Sequence, residues 1–235
     1  MPHTIFQDSG WVVPSVILRI MRTAILAGLL LPAAVSAAEP RRAVGEPGKF
    51  DYYMLTLSWS PAYCAGRPDN ARDPQCAPGR RFSFVLHGLW PQYAQPVRGA
   101  GWPQFCADLP GLKDSRQMLD IMPSPSLVRH EWDKHGTCSG LDAQGYFSLA
   151  RRAFQSVKVP ARFAAPTQYQ NVSPAEVKRA FIDANGGLGP ASVVVACSSN
   201  YLSEVRVCMD KNLKPVPCVG QRECRAPSVR MPPVR

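Results

Sequence analysis

The chain has 235 residues, of which 46% are hydrophobic and 19% charged. That length and balance suit one large folded domain or two small ones and exclude a highly charged disordered chain. The 27 Lys and Arg outweigh the 17 Asp and Glu to give a formal net charge of +10, which fits either a polyanionic partner, such as nucleic acid or a membrane surface, or simply a soluble basic protein.

Residues 1–38 read as a secretory signal. Residues 23–38 carry no charge, follow Met21-Arg22 with Arg19 upstream, and end in the small residues Val35-Ser36-Ala37-Ala38, the basic–apolar–small order of a cleaved leader. The apolar run is shorter than the roughly 20 residues a membrane span needs. Met21 is a candidate start, with residues 1–20 superfluous to the signal. The expectation is a periplasmic or secreted protein with no stable membrane association after cleavage. The cysteines agree with this. There are eight, Cys64, Cys76, Cys106, Cys138, Cys197, Cys208, Cys218 and Cys224. Their number is even and the usual zinc-knuckle spacing is absent, so they read as four disulfides formed in an oxidising compartment.

Residues 39–49 form a polar lead-in. Residues 50–60, rich in aromatic and β-favouring side chains around Met54, Leu55 and Leu57, predict a central strand that Pro61 ends. Residues 64–80 predict a loop. In residues 81–89 Phe82, Phe84 and Leu86 alternate onto one face and Ser83, Val85 and His87 onto the other; Gly88 and Pro91 mark where this second strand breaks. A long loop over 92–111 leads to a short helix at 112–121. Ser124-Pro125 is an N-cap followed by proline at the first helical position. That helix runs through Val128, Glu131, Trp132 and His135 to a stop at Gly136. Residues 146–157 are amphipathic at helical spacing. Ser173-Pro174-Ala175-Glu176 is a capping box opening a helix that Gly186-Gly187 stop. Residues 192–196 and 201–209 predict the last two strands, and 226–235 a flexible basic tail. Regular βαβ alternation is missing, so the fold class is a single α+β domain over 50–225.

His3 falls in the leader, leaving His87, His130 and His135. A helical zinc site needs histidines four apart. Here the spacing is five, which turns the second ring about 140° away, and Lys134 occupies the ligand position. Glu131 and His135 do share a face, with His130 and Lys134 on an adjoining one. Two imidazoles of ordinary pKa ~6.5 can act as base and acid in one reaction, and Lys134 with a protonated His130 could hold a dianionic phosphorane. This inventory suits phosphodiester cleavage without metal or cofactor. It contains no nucleophile elbow or phosphate-cradling glycine loop, so the nucleophile would come from the substrate, as the 2′-hydroxyl of RNA can. Each residue also has a plainer reading. His87 alone could be a packed strand-end residue, Glu131 a paired surface carboxylate and Lys134 a solvated side chain. Trp132 sits off the Glu131/His135 face and reads as core.

Two segments, Phe84-Val85-Leu86-His87-Gly88-Leu89-Trp90-Pro91 and His130-Glu131-Trp132-Asp133-Lys134-His135-Gly136-Thr137-Cys138, resemble the signature segments of the ribonuclease T2 family of secreted endoribonucleases. The resemblance extends to the opening strand with Trp59 and Cys64 and to the pattern from Cys197 to Cys208. It implies an α+β core around an antiparallel sheet flanked by helices and stapled by disulfides. The implied pairs are Cys64–Cys76, Cys106–Cys138, Cys197–Cys224 and Cys208–Cys218. It also implies a metal-independent enzyme; a monomer acting on single-stranded RNA is expected. His87 would be the general acid to the 5′-oxygen and His135 the general base to the 2′-hydroxyl. Glu131 and Lys134 would stabilise the transition state, and His130 would bind phosphate. Trp90 would contact a base, though it could equally close the core beneath His87; Gln92 and Tyr93 are candidates to line the base pocket. The product would be a 2′,3′-cyclic phosphate, opened towards a 3′-phosphate. Two rivals stand beside this reading: a basic secreted binder of polyanions or membranes with an idle nuclease site, and a metal-dependent phosphodiesterase.

Overall fold

A computed structural model describes residues 43–65, 73–95 and 101–234; the leader and the candidate start at Met21 lie outside them. In chain order the elements are β1 (Tyr52–Trp59), α1 (Ser60–Ala65), β2 (Phe84–Gln92), α2 (Pro125–Lys134), α3 (Ala143–Ser156), α4 (Ala161–Ala164), β3 (Gln170–Val172), α5 (Pro174–Ala184), β4 (Val193–Ser198), β5 (Tyr201–Met209) and β6 (Val229–Met231). Strand β1 lies inside the sheet, antiparallel to β2 on one side and to β5 on the other. Strand β4 pairs antiparallel with β5. The pair β6 and β3 is antiparallel, and β6 meets β5 in parallel at Tyr201 and Arg230. The sheet is thus antiparallel except at that one contact.

One face of the sheet makes the core. Tyr53, Leu55, Leu57 and Trp59 of β1, Leu86 and Leu89 of β2, and Val205 and Val207 of β5 join a single apolar cluster with Trp132, Tyr146, Phe147 and Phe181 from α2, α3 and α5. Fully burying a large apolar side chain stabilises by about 1.5–3 kcal/mol. Two of these buried aromatics have satisfied polar tips: Tyr146 Oη donates to the Leu89 carbonyl at 3.0 Å and Trp132 Nε1 to that of Leu109 at 2.9 Å. All four disulfides pair as the resemblance implies. A native disulfide contributes typically about 2–4 kcal/mol, and Cys106–Cys138 ties the loop after β2 to the end of the α2 segment.

Four expectations are corrected. Strand β2 spans Phe84–Gln92 rather than 81–89 and runs through both Gly88 and Pro91. Pro91 is tolerated because β2 is the outermost strand, with β1 its partner, so the missing N–H leaves no second neighbour unbonded. The helix expected at 112–121 is a single 3-10 turn, Ser115–Met118, because Asp114 caps Arg116 N and the Ile121 carbonyl is taken by Leu86 N at 2.8 Å. Helix α2 stops at Lys134, with His135 as its cap and Gly136 opening a 3-10 turn, Gly136–Cys138. Gly136 serves packing instead: a Cβ there would overlap the Trp132 ring and press on Tyr146. Finally, the tail is not flexible through residue 234. Val229 and Met231 are fully buried in β6, and Trp59 Nε1 donates to the Pro232 carbonyl at 3.2 Å. Prolines keep this segment extended, and extended chain is what a sheet can accept. Among the described residues no helix is long and apolar enough to cross a membrane.

Candidate active site

The other face of β1, β2 and β5 carries the polar residues, and two bulges put them there. Thr56 opposes Gly88, yet its neighbour Leu57 opposes Leu86, so His87 is the extra residue of a bulge. In a regular strand residues 87 and 90 would point to opposite faces. The bulge resets the alternation: Leu86 and Leu89 both enter the core, while His87 and Trp90 both line the site. A second bulge lies in β5, where Ala196 opposes Glu204 but Cys197 opposes Leu202. There Leu202 and Val205 are both buried in the core, and Glu204 and Arg206 turn to the His87 side.

Helix α2 supplies the opposite wall. Ser124 Oγ accepts from Leu127 N at 3.4 Å and Pro125 opens the first turn. From that start the four-residue spacing carries Glu131 and His135 to the sheet side. Glu131 is 1% exposed. Its Oε2 accepts from Trp90 Nε1 at 2.6 Å, and its Oε1 lies 3.7 Å from His87 Nε2. Gly88 makes this approach possible, since a Cβ there would overlap both Glu131 Oε2 and Trp90 Nε1. The Trp90 ring stacks on His135, with centroids 5.0 Å apart and planes at 23°. It meets His87 edge-on at 5.1 Å. One indole therefore touches both imidazoles. On the far side of His87, Nδ1 is 2.8 Å from Glu204 Oε1. The other oxygen of Glu204 accepts from Arg206 Nε and Nη2 at 2.9 and 2.6 Å.

These contacts move proton affinities in opposite directions. Burial opposes charge on His87, but the bond to Glu204 and the Glu131 and Glu204 charges outweigh it, and its pKa stands above the ordinary 6.5. Burial, reinforced by the Lys134, His130 and His87 charges, holds His135 well below that value. Burial pushes Glu131 up to about 7 against the pull of His87, Trp90 and Lys134. Burial also works against the Glu204 carboxylate, yet His87 and Arg206 keep it below the usual range.

All six residues expected from the sequence, His87, Trp90, His130, Glu131, Lys134 and His135, line one cleft of about 560 Å³. Gln92 lines it too, but Tyr93 does not; its hydroxyl lies where a Cβ on Gly45 would go. Trp90 has its N–H engaged by Glu131 and one ring face stacked on His135. The residues that sequence reasoning missed are Glu204, Arg206, Trp102 and Gln221. Glu204 and Arg206 left one signal: two charges at alternating positions among Leu202, Val205 and Val207 of β5. Among the described residues no three His, Cys, Asp or Glu side chains are grouped to hold a metal ion.

The model of the Ribonuclease T2 family matches residues 50–218. The chain belongs to the ribonuclease T2 family. It is 36% identical over 205 residues to a ribonuclease of Aeromonas hydrophila, covering 80% of this chain and 83% of that one. To Ribonuclease I of Escherichia coli it is 29% identical, covering 78% of this chain and 84% of the relative. Among solved structures, RNase NT in complex with 5'-AMP matches with a TM-score of 0.55 at 25% identity, over 78% of this chain and 98% of that one. Trichomaglin, an S-like ribonuclease, shares the fold with a TM-score of 0.61 at 20% identity, over 80% of this chain and all of its own. The protein is an endoribonuclease of the T2 type.

Proposed function

We propose that the protein cuts single-stranded RNA without a metal, by attack of a ribose 2′-hydroxyl on the adjacent phosphorus. His135, kept neutral by its surroundings, takes the 2′-hydroxyl proton as the O2′–P bond forms. His87, kept protonated, delivers a proton to the 5′-oxygen as the P–O5′ bond breaks. The products are a 2′,3′-cyclic phosphate and a 5′-hydroxyl. Water then opens the ring to a 3′-phosphate with the two imidazoles exchanging roles. Lys134 and His130 attract the phosphate, and Glu131, whose acid form burial favours, can hydrogen-bond a phosphoryl oxygen as charge builds there. Trp90 holds Glu131 and His135 in place. The observation that carries this reading is the pair of imidazoles in contact with one indole, at 5.1 and 5.0 Å, and lining one cleft, with proton affinities pushed apart as an acid and a base require.

The leader supports action in the periplasm or outside the cell, and the proposal is of a monomer with RNA as its partner and no lasting membrane attachment. The test is digestion of an RNA oligomer and its 2′-deoxy counterpart in chelator, with product ends identified. Cleavage of RNA alone, leaving cyclic or 3′-phosphate ends, is expected. H87A and H135A should each lower kcat by about 10²–10⁴-fold, the usual worth of a positioned proton donor or acceptor, while RNA binding persists. Equal cutting of the deoxy oligomer, or activity that disappears in chelator and returns with zinc or magnesium, would overturn the proposal.

A further inference from the structure

The His87 ring is held at both nitrogens by carboxylates from different elements: Nε2 faces Glu131 of α2 at 3.7 Å, and Nδ1 meets Glu204 of β5 at 2.8 Å. Glu131 opens onto the cleft, whereas Glu204 lies behind His87 and is not among the residues lining the cavity. Its side chain is 12% exposed. Burying a carboxylate is costly unless it is paired, and Glu204 is paired on both oxygens. Arg206 grips Oε2 through two nitrogens, and Arg206 Nη1 is itself held by Gln221 Oε1 at 3.4 Å. The carboxylate therefore has one oxygen fixed by a guanidinium and the other aimed at a single ring nitrogen.

We propose that Glu204 is the positioning residue of His87, braced by Arg206, and that it decides which imidazole nitrogen faces the substrate with a transferable proton. This rests on the reading of His87 as the general acid. An ionised carboxylate only accepts hydrogen bonds, so Nδ1 keeps its hydrogen in both charge states of the ring. The exchangeable proton then sits on Nε2, on the cleft side. In cleavage that proton moves from Nε2 to the 5′-oxygen as the P–O5′ bond breaks, leaving a neutral ring with its lone pair on Nε2. In ring opening the same lone pair takes a proton from the attacking water, and His135 returns one to the 2′-oxygen as the P–O2′ bond breaks. One tautomer thus serves both half-reactions.

The groups around His87 set the direction of the pH effect. From α2 come His130, Glu131 and Lys134, from its C-cap His135, and from β5 Glu204 and Arg206. Tyr63 and Asp73 line the neighbouring cavity beyond the ring. A negative charge in hydrogen-bond contact favours the imidazolium, so the acid form survives to higher pH with Glu204 than without it. Loss of that charge moves the alkaline limb of the rate profile to lower pH.

The experiment measures kcat and KM against pH for the wild type, E204Q, E204A and H87A, alongside the nitrogen-15 NMR titration of His87 in the wild type. In E204Q the charge is lost and one amide oxygen cannot accept from both Nδ1 and Arg206, so the alkaline limb should move down and kcat should fall, but by less than in E204A. E204A should lose about 10–100-fold in kcat, a fraction of the ~10²–10⁴-fold that proton transfer supplies, with KM little changed. The NMR titration needs no variant to fold, and it should show neutral His87 protonated at Nδ1. Neutral His87 protonated at Nε2 would overturn the proposal. So would a folded E204A with wild-type kcat and an unmoved alkaline limb, if H87A is inactive. A fully active H87A would instead remove the general-acid reading beneath it.

Discussion

The two faces of β1, β2 and β5 share three strands and almost nothing else. On the core face, Leu55, Leu57, Leu86, Leu89, Val205 and Val207 are essentially without solvent contact and belong to one cluster. On the site face, His87, Trp90, Glu204 and Arg206 form a hydrogen-bonded set in which charges are kept out of full solvent. That face also tolerates imperfection. Thr56 Oγ1, buried in β1 opposite Gly88 and Arg206, and His135 Nδ1 both lack a hydrogen-bond partner. A core is optimised for stability, whereas a site keeps unmatched polar groups and close approaches that cost stability but set proton affinities. The bulges at His87 and Ser203 let one strand serve both ends without turning an apolar residue to water.

Substitutions that touch one face and spare the other sharpen this contrast. Leu86→Ala on the core face should lower the unfolding free energy by about 2–5 kcal/mol, seen as a lower denaturant midpoint, while kcat of the folded fraction stays near wild type. Gly88→Ala reaches both faces. Its new methyl has to displace Glu131 and the Trp90 indole, so a loss of about 1–3 kcal/mol is expected, together with a fall in kcat of roughly the 10²-fold scale of a misplaced catalytic group. If the variant kept full activity, the packing of Gly88 against Glu131 would have no part in catalysis. Thr56→Val is the smallest. It removes a buried hydroxyl without a partner at nearly constant volume, and unfolding should show no loss and a gain of up to about 1 kcal/mol. A clear destabilisation would mean that Thr56 has a partner in solution.

Several elements were legible because their signals are local. Ser124-Pro125 start α2 as caps do, and Ser173 with Glu176 form the capping box expected of them. The spacing of Glu131 and His135 already placed both on one helical face, and the structure brings both to the cleft. Where local signals competed with tertiary ones, the local reading failed. Gly88 and Pro91 look like strand breakers, yet an edge strand excuses a proline and the crowding of Glu131 requires a glycine. The proline-rich tail looks mobile, yet β5 and β3 take up its Val229 and Met231. Glu204 was not legible as a site residue because its one local signal, a charge at an alternating strand position, equally fits a solvated strand face; its meaning comes from a fold that sets it beside a residue 117 positions away.

The amino-acid sequence alone determined the α+β class, the helix that carries Glu131 and His135, and the presence of three histidines able to exchange protons. These follow from side-chain periodicity and capping, which act over a few residues. Only the folded sheet decided that His87 sits on a bulge, that Trp90 touches two imidazoles, and that Glu204 backs one of them. Such relations depend on which strands pair and in what register, and that choice is made by burial of the whole core rather than by any short stretch of chain.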